Sequence, residues 1–225
     1  MSCQDICARW RSFSEPSEIA LGEGAPQTVR LKHWQTDELA NVLTRVLYDE
    51  PQFRYLVPEE DTRLRLLPNF FQSAIRASQE NGETYTTQEV EGGAVWVRNG
   101  NGASLETIMK SAFESARLHS GLESIRRCLN LGTYLDEIHQ RLIRGPHWYL
   151  LTLGVDPSKR NENVLETLIE PALARADLEG LPCYLEAFSE KSLLYYRTHG
   201  FRIAGGGRIP ESGPDFWAMI RTPKR

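Results

Sequence analysis

Glu186 and the adjacent tyrosines Tyr195 and Tyr196 are residue types with readily named chemistry. A phenol of pKa about 10 keeps its proton at neutral pH and can give it to a leaving group such as a thiolate, whose thiol has a pKa near 8.5. A carboxylate can take the proton that an amine must lose before it attacks. His147, at the head of an apolar run, is a second candidate for that base. Lys159 and Arg160 stand just before an amphipathic helical pattern, and the free amides and dipole of a helix start attract anions such as a diphosphate. Each group also has a plainer reading. The tyrosines can be packing aromatics, Glu186 a solvated or loop-orienting side chain, His147 a capped strand end, and the two cations a solvated turn. Neighbouring helical residues lie about 100° apart, so one tyrosine is expected in the core and the other at a cleft.

These residues need elements to hold them. His147 to Val155 is the most apolar stretch of the chain. It lacks clean alternation, which predicts a strand buried on both faces at the centre of a sheet. Asp156-Pro157 stops it. From about residue 162 to 179, Val164, Leu165, Leu168, Ile169, Ala172, Leu173 and Ala176 form one stripe at helical period. Gly180 and Pro182 end that helix. Cys183 to Phe188 reads as a strand, Ser189 or Glu190 opens a short helix, and Gly200 closes it. Phe201 to Ala204, three glycines and Phe216 to Ile220 read as a final hairpin.

Upstream the pattern is looser. Residues 1 to 28 mix Ser, Glu, Pro and Gly around Trp10 and Phe13, and read as a poorly ordered leader before a domain over 29 to 222. Thr28 to Leu31 fits a short strand. Asp37 caps a helix carrying Leu39, Val42, Leu43, Val46 and Leu47, which Glu50-Pro51 ends. Phe53 to Val57 is apolar and aromatic. A helix from Asp61 should kink or restart at Pro68 and stop at Asn81-Gly82. Thr84 to Glu89 and Ala94 to Val97 form a hairpin around Glu91-Gly92-Gly93. Residues 104 to 144 read as two helices broken near Ser120-Gly121, with Gly132-Thr133 weakening the second. The order of elements argues an α/β (α+β) domain around one mixed sheet flanked by helices.

Four segments, LGVDP, LARAD, EGLPCYLE and a Tyr four residues before Gly-Phe, occur in that order between His147 and Gly205. In order and spacing this segment resembles the GNAT superfamily of acyl-CoA-dependent N-acyltransferases. The likeness covers roughly residues 145 to 222 well and the elements of 29 to 144 loosely. It implies a GNAT-like single domain and direct transfer of an acetyl group from acetyl-CoA, as co-substrate, to a small-molecule amine. It places Tyr196 as general acid. It puts the backbone of Leu153, Gly154 and Val155 on the acyl arm. Arg160, Asn161, Asn163, Val164, Leu165 and Ser192 fall in the coenzyme site.

The family's loop pattern, Arg/Gln-x-x-Gly-x-Gly/Ala, is here Arg160-Asn161-Glu162-Asn163-Val164-Leu165. Asn163 and Leu165 replace the two small residues that let phosphate oxygens reach the backbone. Asn visits the left-handed region more readily than most residues, but Leu does not. Glu162 adds a negative charge where a diphosphate would sit. Two outcomes follow. Either acyl-CoA still binds, or the fold is kept without the coenzyme, as a binding protein or as an enzyme of another reaction.

Composition narrows the rest. The 225 residues are 40% hydrophobic and 25% charged, with a net charge of −4, which gives no basic footprint for nucleic acid. The four cysteines are scattered without zinc spacing, so no metal is expected. No apolar run is long enough for a membrane span, and the start has no signal-peptide pattern, so a cytoplasmic protein is expected. Gly205-Gly206-Gly207 opens no helix and is not a dinucleotide loop.

Overall fold

The structure, a computed structural model, describes residues 27–99, 107–108, 122–159 and 164–224. The leader read over residues 1 to 28, up to residue 26, lies outside the described residues, as does the break expected near Ser120-Gly121. Strands β1 (Thr28–Arg30), β2 (Gly82–Thr87), β3 (Gly92–Asn99), β4 (His147–Val155), β5 (Cys183–Ala187), β6 (Arg202–Arg208) and β7 (Asp215–Arg221) form one sheet in the order β1-β2-β3-β4-β5-β7-β6. All neighbours are antiparallel except β4 and β5. The mixed sheet and the central place of β4 are as the sequence predicts.

Helices cover both faces. Helix α1 (Thr36–Leu47), α2 (Pro51–Leu56), α3 (Glu60–Asn81) and α4 (Leu122–Leu142) lie on one side, and α5 (Val164–Glu179) on the other. The short α6 (Glu190–Thr198) follows β5. Period-2 alternation divides the apolar side chains between two cores. Val95 and Val97 of β3 join Tyr149, Tyr184 and the helices α1 to α4, while Ala94 and Trp96 join Trp148, Leu150, Cys183, Leu185 and α5.

Several local expectations need correction. The aromatic stretch from Phe53 is a short helix started by Pro51 at its first position, where a missing N–H costs nothing. Pro68 neither ends nor restarts α3. The carbonyl it leaves unbonded belongs to Leu64, an exposed residue whose backbone water can serve. Gly132-Thr133 does not interrupt α4. The three glycines are part of β6, and the turn falls later, where Glu211 and Ser212 take positive φ and the Ile209 N–H donates to the Pro214 carbonyl at 2.9 Å. Glycine suits β6 for packing reasons, since a Cβ on Gly206 would come within 2.6 Å of the Phe216 carbonyl oxygen. Strand β6 is the sheet's outer strand and is exposed along almost its whole length.

A partly buried ion pair ties the end of the sheet to α5. Arg221, 3% exposed, donates from Nη1 and Nη2 to the two Asp177 carboxylate oxygens at 2.8 and 2.6 Å, and the Lys224 N–H donates to the same carboxylate at 2.7 Å. The guanidinium holds the Asp177 carboxyl below its usual range. Removing one member of such a pair strands the other charge. Asp177→Asn is therefore expected to lower unfolding free energy by about 3 kcal/mol, read as a shifted urea midpoint at unchanged slope.

Candidate active site

Strands β4 and β5 pair only at Trp148↔Cys183 and Tyr149↔Tyr184, and then part. The divergence begins where β4 carries one residue more than β3. Trp96 faces Leu150 and Val95 faces Thr152, so Leu151 has no opposite number. Such a bulge bends its strand and shifts the side-chain alternation by one. Trp148 and Leu150 point to the α5 core before the bulge, and Leu153 and Val155 do so after it. With β3 bonded on one edge of β4 and β5 turned away from the other, the backbone from Leu150 to Val155 borders an open cleft.

A cavity of about 220 Å³ fills this fork. Its walls include Leu153, Gly154 and Val155 from β4, Glu186 at the end of β5, and Ser192, Tyr195 and Tyr196 from α6. Gly154 is small because α1 presses on it. A Cβ there would meet Val46, Leu43 and Leu47 side chains at 3.1–3.3 Å.

Glu186 shares a face of β5 with Tyr184 and looks toward α4. Its Oε2 accepts from the Tyr149 hydroxyl at 2.6 Å, and its Oε1 is buried with no hydrogen-bond partner. Burial raises the carboxyl to about 7, the Tyr149 and Tyr184 hydroxyls pull it down, and the Asp136 carboxylate pushes it up. The Tyr184 hydroxyl lies near enough to act electrostatically but makes no well-formed bond. A base that titrates near neutrality beside an open cavity suits proton abstraction at physiological pH.

Both tyrosines line the cavity, contrary to the expectation that one would be core. Ser192, Tyr195 and Tyr196 stand at i, i+3 and i+4, so a single broad helix face holds all three. The two rings sit 5.4 Å apart at 68°. Burial raises both phenols, and the Glu50 carboxylate raises Tyr196 further, so that Tyr196 stays protonated at neutral pH. The Tyr195 hydroxyl is buried without a partner. The Ser189 side chain caps α6 through the Ser192 N–H at 3.3 Å and fixes where the face begins.

The other predicted residues divide. Arg160, Asn161 and Asn163, with Glu162, lie outside the described residues. Val164 is 1% exposed, opens α5 and packs in the core rather than lining the cavity. Leu165 does line the cavity. His147 does not. It is buried, and its Nδ1–H donates to the Gly145 carbonyl at 2.8 Å. Its bare Nε2 then accepts from the His139 Nε2–H at 2.7 Å. Burial lowers the pKa of both rings, His139 to about 3, so the pair is neutral and joins helix to sheet. The sequence reading missed Glu50, Gln52 and Tyr149, all of which line the cavity. Tyr149 carries a strand signal only, and Glu50 and Gln52 flank the proline that reads as a helix stop. Among the described residues no group of three or more His, Cys, Asp or Glu is placed to hold a metal, and no helix is long and apolar enough to cross a membrane.

No profile of a known protein family matches the chain. An uncharacterized N-acetyltransferase of Schizosaccharomyces pombe is 26% identical over 171 residues, covering 72% of this chain and 68% of that protein. Among solved structures, a histone acetyltransferase HPA2 and related acetyltransferase from Corynebacterium glutamicum superposes with a TM-score of 0.63 at 21% identity, over 89% of this chain and 97% of the other. Arylalkylamine N-acetyltransferase 2 of Aedes aegypti gives 0.59 at 11% identity, over 88% and 99%. The chain thus resembles an N-acetyltransferase in sequence over most of its length and shares the fold of the solved acetyltransferases.

Proposed function

We propose that the chain transfers an acetyl group from acetyl-CoA to a small amine by direct attack. The observation that carries this reading is a single cavity with Glu186, titrating near neutrality, at one wall and the protonated Tyr196 phenol at another. Acetyl-CoA supplies the activated acyl group and a thiol leaving group. Three features fit it: the strand edge of Leu153, Gly154 and Val155, left without a β5 partner; Ser192 beside it; and the buried, unpartnered Tyr195 hydroxyl. Glu186 Oε1 accepts the proton that the ammonium gives up, and the free amine attacks. The backbone of β4 steadies the acyl carbonyl, as backbone donors do where oxyanion charge develops. Tyr196 gives its proton to the departing sulfur and regains one from the acylated nitrogen, while Glu186 releases its proton to solvent. Arg160, Asn161 and Asn163, with the start of α5, are assigned to the diphosphate. The name of the arylalkylamine N-acetyltransferase that shares the fold agrees with an amine acceptor.

One observation favours a second reading. Leu165 stands in the cavity wall where the family pattern has a small residue, and its branched side chain takes up space there. On that reading the fold is retained without the coenzyme. Calorimetric titration with acetyl-CoA separates the two. The enzyme reading expects binding at micromolar to submillimolar ligand and thiol release on adding an amine, and no binding at millimolar ligand would sink it. The second reading expects binding to arise only in Leu165→Gly.

Two substitutions test the assigned roles. Tyr196→Phe is expected to lower kcat about 10²-fold with little change in amine KM, whereas Tyr195→Phe should act more weakly. For Glu186, activity of the natural protein should rise with pH through about 7, and Glu186→Gln should lose that limb along with most of kcat. Stability runs the other way. The folded carboxyl keeps its proton up to about 7, while the unfolded one releases it near 4.3. Its contribution is thus full below about 4.3 and lost as pH rises through about 7. Melting curves from pH 5 to 8 should show a smaller decline in Glu186→Gln than in the natural protein. Parallel declines would mean the carboxyl titrates normally.

A further inference from the structure

We propose that Gln52 reads the acceptor together with Glu186, and that the acceptor is a primary amine bearing one positive charge on an apolar body. This rests on the acetyl-transfer reading above and narrows it. Gln52 Oε1 and Glu186 Oε1 are both buried, both lack a hydrogen-bond partner, and both belong to residues lining the same cavity. An amide oxygen and a carboxylate oxygen can only accept here, and stranded acceptors are costly unless a ligand supplies donors. A hydroxyl offers one hydrogen. A primary ammonium offers three, enough for both oxygens, with one remaining when Glu186 has taken a proton and the neutral amine still holds two.

The neighbouring wall sets the rest of the molecule. Phe53, Leu56, Phe70, Leu131, Leu135 and Phe188 line the cavity without a charge among them. A second cation against that wall would be desolvated and unpaired, and a peptide would leave its amides unbonded. The other lining carboxylate, Glu50, acts on Tyr196 and so lies toward the leaving group. Gln52, Phe53 and Leu56 all come from α2, whose position is fixed. Buried Arg63 donates from Nη1 to the Val57 and Pro58 carbonyls at 2.7 and 3.0 Å, and Phe53 meets Phe70 and Phe71 edge-on at 5.3 and 5.4 Å. The reading group is therefore held before any ligand arrives.

The test measures thiol release from acetyl-CoA by the full chain with 2-phenylethylamine, 1,4-diaminobutane and glycylglycinamide, and calorimetric binding of the same amines. The aryl monoamine should exceed the other two in kcat/KM by at least about ten-fold, the scale of one stranded polar group. Gln52→Leu should raise the KM for 2-phenylethylamine about ten-fold while leaving the KM for acetyl-CoA and the pH limb near 7 unchanged. Gln52→Glu, which keeps the side-chain size, should instead narrow the gap between monoamine and diamine. Equal or better turnover of the diamine or the dipeptide amide overturns this inference and leaves the acetyl-transfer reading standing. So does an unchanged amine KM in Gln52→Leu with an unchanged preference in Gln52→Glu. Acetyl-CoA that binds while no amine releases thiol would overturn both.

Discussion

Strands β4 and β5 hydrogen-bond over two residue pairs and then separate, and every feature of the cavity depends on that parting. A parallel pair left in register would fill the space where the cavity lies and satisfy the inner edge of β4 with backbone bonds. The extra residue at Leu151 bends β4 away, and the α5 crossover allows β5 to diverge. The exposed strand edge, the placing of Glu186 just past the last paired residue, and the entry of α6 beside it are consequences of one local mismatch. Beyond the bulge, α1 packs closely on the strand at Gly154.

The fork also sets the electrostatics. Glu186 lies on the β5 face shared with Tyr184, so its surroundings are aromatic and dry, and its carboxyl is raised by burial before any partner acts. Tyr149, from the last paired position of β4, supplies the hydrogen bond that keeps the shift moderate. Without that donor, burial would leave the group protonated over most of the physiological range, and without burial it would be too weak a base. The same face buries His139 and His147 as a neutral pair, which contributes cohesion but no charge.

The architecture was legible in the sequence where periodicity was strong. The α5 stripe, the β4 apolar run and the short α6 lie close to their observed limits, because a Gly, Pro or Asp follows each of them within two residues. The missing alternation in β4 has a second cause besides burial, since the bulge at Leu151 inverts the phase halfway along. A register mismatch belongs to two strands at once and leaves no mark in one of them. Tyr196, named through resemblance, and Glu186, named for its chemistry, both line the cavity. The argument from helical angle misplaced Tyr195, because a cavity along a helix sees a face wider than one residue. Gln52 and Tyr149 gave no signal, since their importance lies in what surrounds them in space. His147 was a reasonable chemical candidate, but its ring is spent on the Gly145 carbonyl and His139.

The outer strand β6 has a bearing on how the molecule behaves in a crowded solution. No described strand pairs with its outer edge, which leaves backbone groups that another chain could meet by adding a strand. The glycine run gives an incoming strand almost no side chain to grip, and Arg202 and Arg208 set like charges at its two ends. Arg208 is itself paired with Asp215, so the deterrent lies mainly in the missing side chains. The glycines that read as the middle of a hairpin thus leave a poor template for sheet-to-sheet polymerisation.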